Sequence, residues 1–128
     1  MIYSNYMKKK LLIVEDERTL LKVLKERFSK EGYEVSTAGD GAVALEMALT
    51  DHPDLILLDI VMPIMDGMTV LKKLRGNEWG KDVPVVLLTN LNIADKVADA
   101  LDRGVYDYLV KSDWSLEDIV TKVNERLS

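Results

Sequence analysis

The sequence predicts an α/β fold, a doubly wound five-stranded parallel sheet with five helices, on three observations. Leu11–Val14, Leu55–Leu58 and Pro84–Leu88 are apolar runs without alternation, as expected of strands covered on both faces and hence of a parallel sheet. Each run stops at a polar residue that can do chemistry: Glu15, Asp59 and Thr89. Segments of helical periodicity separate the runs, so the chain reads as short βα units with right-handed crossovers, too few for a closed eight-stranded barrel. The flavodoxin-like order 2-1-3-4-5 accommodates three buried central strands and an amphipathic second one.

The elements follow in order. After Leu11–Val14, the residues Leu20, Leu24 and Phe28, with Leu21 beside them, form the buried stripe of a first helix that Gly32 closes. Tyr33–Ala38 alternates Tyr33, Val35 and Thr37 with Glu34 and Ser36, which suits a sheet edge. Asp40 is placed to cap a helix carrying Ala44, Leu45, Ala48 and Leu49, which His52-Pro53 ends. Beyond the third strand, Asp66 is placed to cap a helix with Val70, Leu71 and Leu74, and Gly76 and Gly80 bracket a loop holding Trp79. Ile93–Leu101 is a helix with a weak stripe, Val97 and Leu101, ended by Gly104 and the least anchored of the set. Tyr106–Val110 is the last strand and delivers Lys111. Ser115 with Asp118 resembles a capping box, opening a final helix whose core face is Leu116, Ile119, Val120, Val123 and Leu127.

With 128 residues the chain suffices for one domain, expected over residues 9–128 after a flexible leader at 1–8. Its formal charge of −5 argues against non-specific nucleic-acid binding, and Lys8–Lys10, its one basic run, reads as a solvated lead-in to a strand. It has no cysteine, which excludes disulfides, thiolate metal sites and cysteine nucleophiles. No apolar run approaches the roughly 18 residues of a membrane span, and Met1–Met7 is too short and polar for a signal peptide, so the expected compartment is the cytoplasm.

In the expected order, strands one and three are neighbours, so Glu15, Asp16 and Asp59 converge at the carboxyl edge, where open α/β sheets bind ligands, and Thr89 and Lys111 arrive from strands four and five. Acidic strand ends often serve only to cap the next helix, as Asp16 or Glu17 could. Three carboxylates with a lysine and a threonine at matching ends point further. Such carboxylates repel strongly unless a cation sits among them, and oxygen-only ligands favour Mg²⁺ before Ca²⁺ or Zn²⁺. Beside such an ion, a carboxylate can attack a phosphoryl group while Lys111 neutralises its oxygens and the Thr89 hydroxyl donates to one of them.

Glu15-Asp16, Asp59 followed by Met62-Pro63 and Asp66-Gly67, then Thr89, Tyr108 and Lys111, in this order and spacing, resemble the receiver domain of two-component response regulators, from about Lys9 to Leu127. The resemblance implies that Asp59 accepts a phosphoryl group from a histidine kinase or histidine phosphotransfer protein. It also implies that Asp16, Asp59 and the Val61 backbone carbonyl hold Mg²⁺, with Glu15 helping directly or through water. Thr89 and Tyr108 would form a switch: Thr89 moves toward the phosphoryl group, Tyr108 turns inward, and the surface of the fourth helix, fifth strand and fifth helix changes for a downstream protein. A bistable domain of this kind is a regulator rather than an enzyme with outside substrates, either a monomer or a phosphorylation-dependent dimer. With the last helix ending at Leu127, no output domain is expected to follow, as in a stand-alone, chemotaxis-regulator-like protein or a fragment.

Three departures from the family pattern stand out. Glu15 replaces the usual first aspartate and is one methylene longer, which can bring its metal contact from water-mediated to direct. Lys111 precedes Ser112 where the family has a cis proline, and a cis bond to a non-proline costs roughly 3–4 kcal/mol. Val61 and Leu91 are apolar where many relatives carry polar groups, which predicts poor orientation of hydrolytic water and a long-lived phospho-aspartate.

Other residues take plainer readings. His52, the only histidine, lies beside Pro53 in a loop, a poor site for a phosphodonor. Trp114, near the expected switch surface, suits partner contact or cover of the core edge, and Met47, Met62, Met65 and Met68 suit packing. A phosphatase of the haloacid dehalogenase type needs an aspartate where Val61 stands, and a flavodoxin-like electron carrier needs phosphate-binding donors that the first and third strand-end loops lack. A non-phosphorylated pseudo-receiver acting as a binding module is the nearer alternative, and the retention of every reactive position argues against it.

Overall fold

The computed structural model describes residues 8–89, 94–111 and 114–127, and within them five strands alternate with five helices. The strands are β1 (Lys10–Val14), β2 (Glu34–Ala38), β3 (Leu55–Asp59), β4 (Val85–Thr89) and β5 (Asp107–Val110). The helices are α1 (Arg18–Lys30), α2 (Gly41–Asp51), α3 (Gly67–Arg75), α4 (Ala94–Asp102) and α5 (Leu116–Leu127). Every pairing is parallel and the order is β2-β1-β3-β4-β5, as the apolar runs predict. No described helix is long and apolar enough to cross a membrane.

Successive residues of the central strands serve opposite layers, which is why their sequences do not alternate. Leu12, Val14, Ile56, Leu58, Val85 and Leu87 pack with Ala44 and Ala48 of α2, Val70, Leu71 and Leu74 of α3, and Ala100 of α4. Leu11, Ile13, Leu55, Leu57, Val86 and Leu88 pack with Leu24 and Phe28 of α1 and Ile119, Val120 and Val123 of α5. All five residues of β3 are buried. Burying each leucine contributes roughly 1.5–3 kcal/mol before chain entropy is charged against it, so the strand that carries Asp59 lies in the most strongly held part of the sheet.

The predicted caps form. Asp40 and Asp66 accept hydrogen bonds from the N–H groups of Val43 and Thr69, at 2.9 and 2.8 Å. Ser115 and Asp118 satisfy each other reciprocally, Ser115 N–H to Asp118 Oδ2 at 2.8 Å and Asp118 N–H to Ser115 Oγ at 3.2 Å. Gly32, at φ +98°, follows α1, and His52, at φ +51°, ends α2 in a left-handed conformation that asparagine or glycine would take more readily.

Several expected boundaries and faces shift. Tyr33 and Tyr106 lie just outside their strands, although Tyr106 N–H still bonds the Val85 carbonyl at 2.8 Å. Glu17 is the N-cap of α1 but its side chain makes no cap bond. Leu49 is exposed rather than in the core, because the stripe of α2 narrows to Ala44 and Ala48 against the sheet. On α4 Leu101 is half-exposed and Ala100 takes the buried position. Leu20, Leu21, Leu45, Leu116 and Leu127 are partly buried against the core. The leader at 1–7, Leu91, Ile93 and Ser112 lie outside the described residues, as do the side chains of Thr89 and Val97.

Candidate phosphoacceptor site at the carboxyl edge

Sheet register explains how distant acids meet. Val14 lies opposite Leu58, so the next residues, Glu15 and Asp59, emerge side by side on the α1–α5 face. Leu109, opposite Leu88, shares that face, and Lys111 follows it by two residues. The chain beyond Asp59 is fixed by close backbone contact. Gly67 N–H bonds the Ile60 carbonyl at 2.7 Å, and a Cβ at Gly67 would stand 2.1 Å from the Asp59 carbonyl oxygen. Gly41 likewise leaves only 1.9 Å between a would-be Cβ and the Met65 carbonyl oxygen. Glycine is therefore required at both helix starts to seat the loop from 60 to 66.

Among the described residues Glu15 and Asp59 are the buried charged ones, at 0% and 4% exposure, whereas Asp16 is exposed. Carboxylate oxygens of all three lie within 4.8 Å of one another. Lys111 Nζ reaches into the cluster, donating to Glu15 Oε1 and, at 3.1 Å, to Asp59 Oδ2. Its side chain is only 10% exposed. Burial pulls the ammonium pKa down, but the hydrogen bond to Glu15 and the charges of Asp59 and Glu15 outweigh it, leaving the pKa above its ordinary 10.5. Glu15 also accepts from Glu17 N–H at 3.2 Å, so a buried carboxylate is served from two sides.

One ammonium faces three carboxylates in this cluster, an excess of negative charge built wholly from oxygen donors. Such a set fits a hard divalent cation, Mg²⁺ first. The longer Glu15 reaches Lys111, a pairing that its place among the expected metal ligands did not anticipate; the extra methylene was the signal in the sequence. Val61, two residues after Asp59, has a half-exposed side chain. Thr89 ends β4 opposite Val110, and Tyr108, on edge strand β5, has an exposed side chain.

The remaining candidates separate from the site. His52 stacks on Trp79 at the amino edge, with ring centroids 4.4 Å apart and planes 10° from parallel, so it is a packing residue there. Trp114 packs against the α1–α5 layer, and its buried indole N–H has no hydrogen-bond partner among the described residues. Met62 is buried, and Met47, Met65 and Met68 pack around the other core layer. Sequence reasoning overlooked Ile64. It is 82% exposed at φ +69°, and Met65 N–H bonds the Pro63 carbonyl across it at 2.7 Å.

Comparison with known proteins agrees with this geometry. The family described as the response regulator receiver domain matches residues 11–124. The chain is 43% identical over 105 residues to the response regulator PleD of Caulobacter vibrioides, an alignment covering 82% of this chain and 23% of PleD. This chain therefore spans under a quarter of that relative's length. Among solved structures, a Francisella response regulator receiver domain superposes with TM-score 0.85 at 30% identity, covering 94% of this chain and 97% of that one. The receiver domain of a Pseudomonas aeruginosa sensor histidine kinase, with a magnesium ion coordinated in its active-site cleft, superposes with TM-score 0.83 at 27% identity, covering 94% and 98%.

Proposed function

The chain belongs to the response regulator receiver domain family, and from that membership we propose that it is a phosphorylation-dependent signalling switch whose phosphoacceptor is Asp59. The observation that carries the reading is the buried Asp59 carboxylate held 3.1 Å from Lys111 Nζ, with Glu15 and Asp16 beside it. An Asp59 oxygen attacks the phosphorus of a phosphohistidine on a histidine kinase or histidine phosphotransfer protein; the O–P bond forms, the N–P bond breaks and the electron pair returns to the imidazole. Asp16, Asp59 and the Val61 carbonyl would hold Mg²⁺, with Glu15 contributing. Bound there, the ion neutralises equatorial phosphoryl oxygens and relieves repulsion between the entering group and the acids.

Lys111 is already paired to Asp59 and shifts its donors to a phosphoryl oxygen as charge builds there. Thr89, at the end of the adjacent strand, supplies the hydroxyl that follows the phosphoryl group. Tyr108, exposed in the present state, is the side chain free to turn inward. The result is a changed surface on α4, β5 and α5 through which a downstream protein is controlled. The domain performs self-phosphotransfer and loses its own phosphoryl group, with no turnover of outside substrates. Residues 9–128 constitute this domain, with 1–8 as its leader. The net charge of −5 supports a protein target rather than direct nucleic-acid contact.

The reading is tested by incubation with Mg²⁺ and acetyl phosphate, read by intact mass. One phosphoryl adduct is expected on the wild type and none on Asp59→Asn. A wild type that stays unmodified while folded would make the chain a pseudo-receiver that binds without phosphorylation.

A further inference from the structure

At the sheet edge opposite the acids, Arg75 closes α3 and spends its guanidinium on backbone rather than on a carboxylate. Nε donates to the Arg103 carbonyl at 2.6 Å, Nη1 to those of Gly80 and Val83 at 2.7 and 2.9 Å, and Nη2 to that of Gly104 at 3.1 Å. Four of its five N–H donors are thereby engaged. The carbonyls belong to three segments: the loop after α3, the lead-in to β4, and the turn between α4 and β5. Burial pulls the guanidinium pKa below its ordinary value, only partly opposed by the charge of Asp82. A half-buried cation held by neutral carbonyls is a costly choice unless the fork itself is needed.

What the fork holds is the C-terminal end of α4. Gly104, at φ +75°, ends that helix, with Gly104 N–H on the Leu101 carbonyl at 3.0 Å and Val105 N–H on that of Ala100 at 3.3 Å. The next residue enters β5 through the Tyr106–Val85 bond. Between Ala98 and Asp102, Ala100 alone is buried, so side-chain packing there grips the helix weakly. One end of α4 is thus bolted to α3 and the base of β4, while its other end lies toward Thr89 and the acidic edge.

We propose that Arg75 is the pivot of the switch: it fixes Arg103 and Gly104, so that a change at the Thr89 end tilts α4 about that turn instead of releasing the helix. This rests on the phosphorylation reading above, and it assigns Arg75 a positioning role far from the chemistry. The four-pronged contact supplies a fixed point that a single hydrogen bond would not.

The test is amide hydrogen exchange on the wild type, Arg75→Met and Arg75→Lys, each without and with Mg²⁺ and beryllofluoride as a phosphoryl mimic. In the wild type, exchange at 94–100 responds to the mimic while 101–106 stays unchanged. In Arg75→Met, exchange at 101–106 rises ~10-fold and becomes responsive to the mimic, while protection of β1 and β3 is retained. Arg75→Lys keeps the charge without the planar fork and behaves like Arg75→Met; it also serves if the methionine variant fails to fold. The pivot is overturned if wild-type 101–106 responds as strongly as 94–100, or if both folded variants leave 101–106 protected. A wild type that takes up phosphoryl from acetyl phosphate yet shows no change at 94–100 also overturns the pivot while sparing the acceptor assignment; absence of the adduct fails the acceptor assignment itself.

Discussion

Val61 is the side chain on which the proposed phosphoryl lifetime turns. It stands two residues after Asp59 with half its surface exposed, beside the carboxylate for which we propose the phosphoacceptor role. A valine offers no hydrogen bond to hold an attacking water in line. Val61→Asn is expected to shorten the phosphoryl lifetime roughly tenfold, the effect of a modest water-orienting group, with Leu91→Glu acting in the same direction. The check is the decay of the adduct by intact mass after removal of acetyl phosphate, and an unchanged half-life would remove any role for these side chains. At this scale the convergence of Asp59, Asp16 and Lys111 was readable, because residue type at matching strand ends placed them together. The sequence was silent where a partner is backbone: the fork of Arg75 engages four carbonyls, which every residue possesses. It was equally silent on the His52–Trp79 stack, made by loops that meet only after folding.

Among the described elements, the loop between β3 and α3 carries backbone strain at Ile64. Ile64 centres a γ-turn with positive φ, closed by the 2.7 Å Met65–Pro63 bond, a conformation unfavourable for a β-branched residue. The cost is sustained because both flanks are clamped: Met62 is buried and Met65 packs on the core, while Gly41 and Gly67 allow backbone contact beneath them. Since the Ile64 side chain projects into solvent, replacing it removes strain and loses little packing. Ile64→Asn should stabilise the protein by about 1 kcal/mol, measured as a higher urea midpoint with unchanged slope; an equal or lower midpoint refutes the strain. Periodicity located the helices and their caps here, and Asp40, Asp66 and Ser115 all cap as composition suggests. It misjudged Leu49 and Leu101, because apolar residues at the border of a stripe are turned in or out by the width of the neighbouring layer, which no local pattern encodes.

Across the whole molecule, Lys111 joins the last strand to the first and the third. The ammonium pKa is raised by its carboxylate partners, so its contribution is fully present below the unfolded value near 10.5 and is lost as pH rises through the folded value. Wild type should exceed Lys111→Gln in stability by about 3 kcal/mol near neutral pH, the scale of removing one partner from a buried pair. That difference should shrink as pH rises above about 10.5. Urea titrations of both proteins across that range would check it, and a difference that stays level or widens contradicts the pairing. The parallel sheet and its order were legible from three apolar runs, since only strands covered on both faces lack alternation. The direct Glu15–Lys111 contact was not, because its partners lie 96 residues apart and meet only in the folded sheet.

Glu15 and Lys111 are 96 residues apart in the chain, and their contact has a consequence for how the protein is made. The acids of β1 and β3 emerge early and can pair their strands, but the ammonium that completes the pocket comes from a strand that docks at the sheet's far edge. Contacts of such long sequence separation close late, after the loop entropy between them has been overcome. The pocket is therefore complete only with the last strand, and a chain ending before β5 carries the buried Glu15 and Asp59 carboxylates without their Lys111 counter-charge.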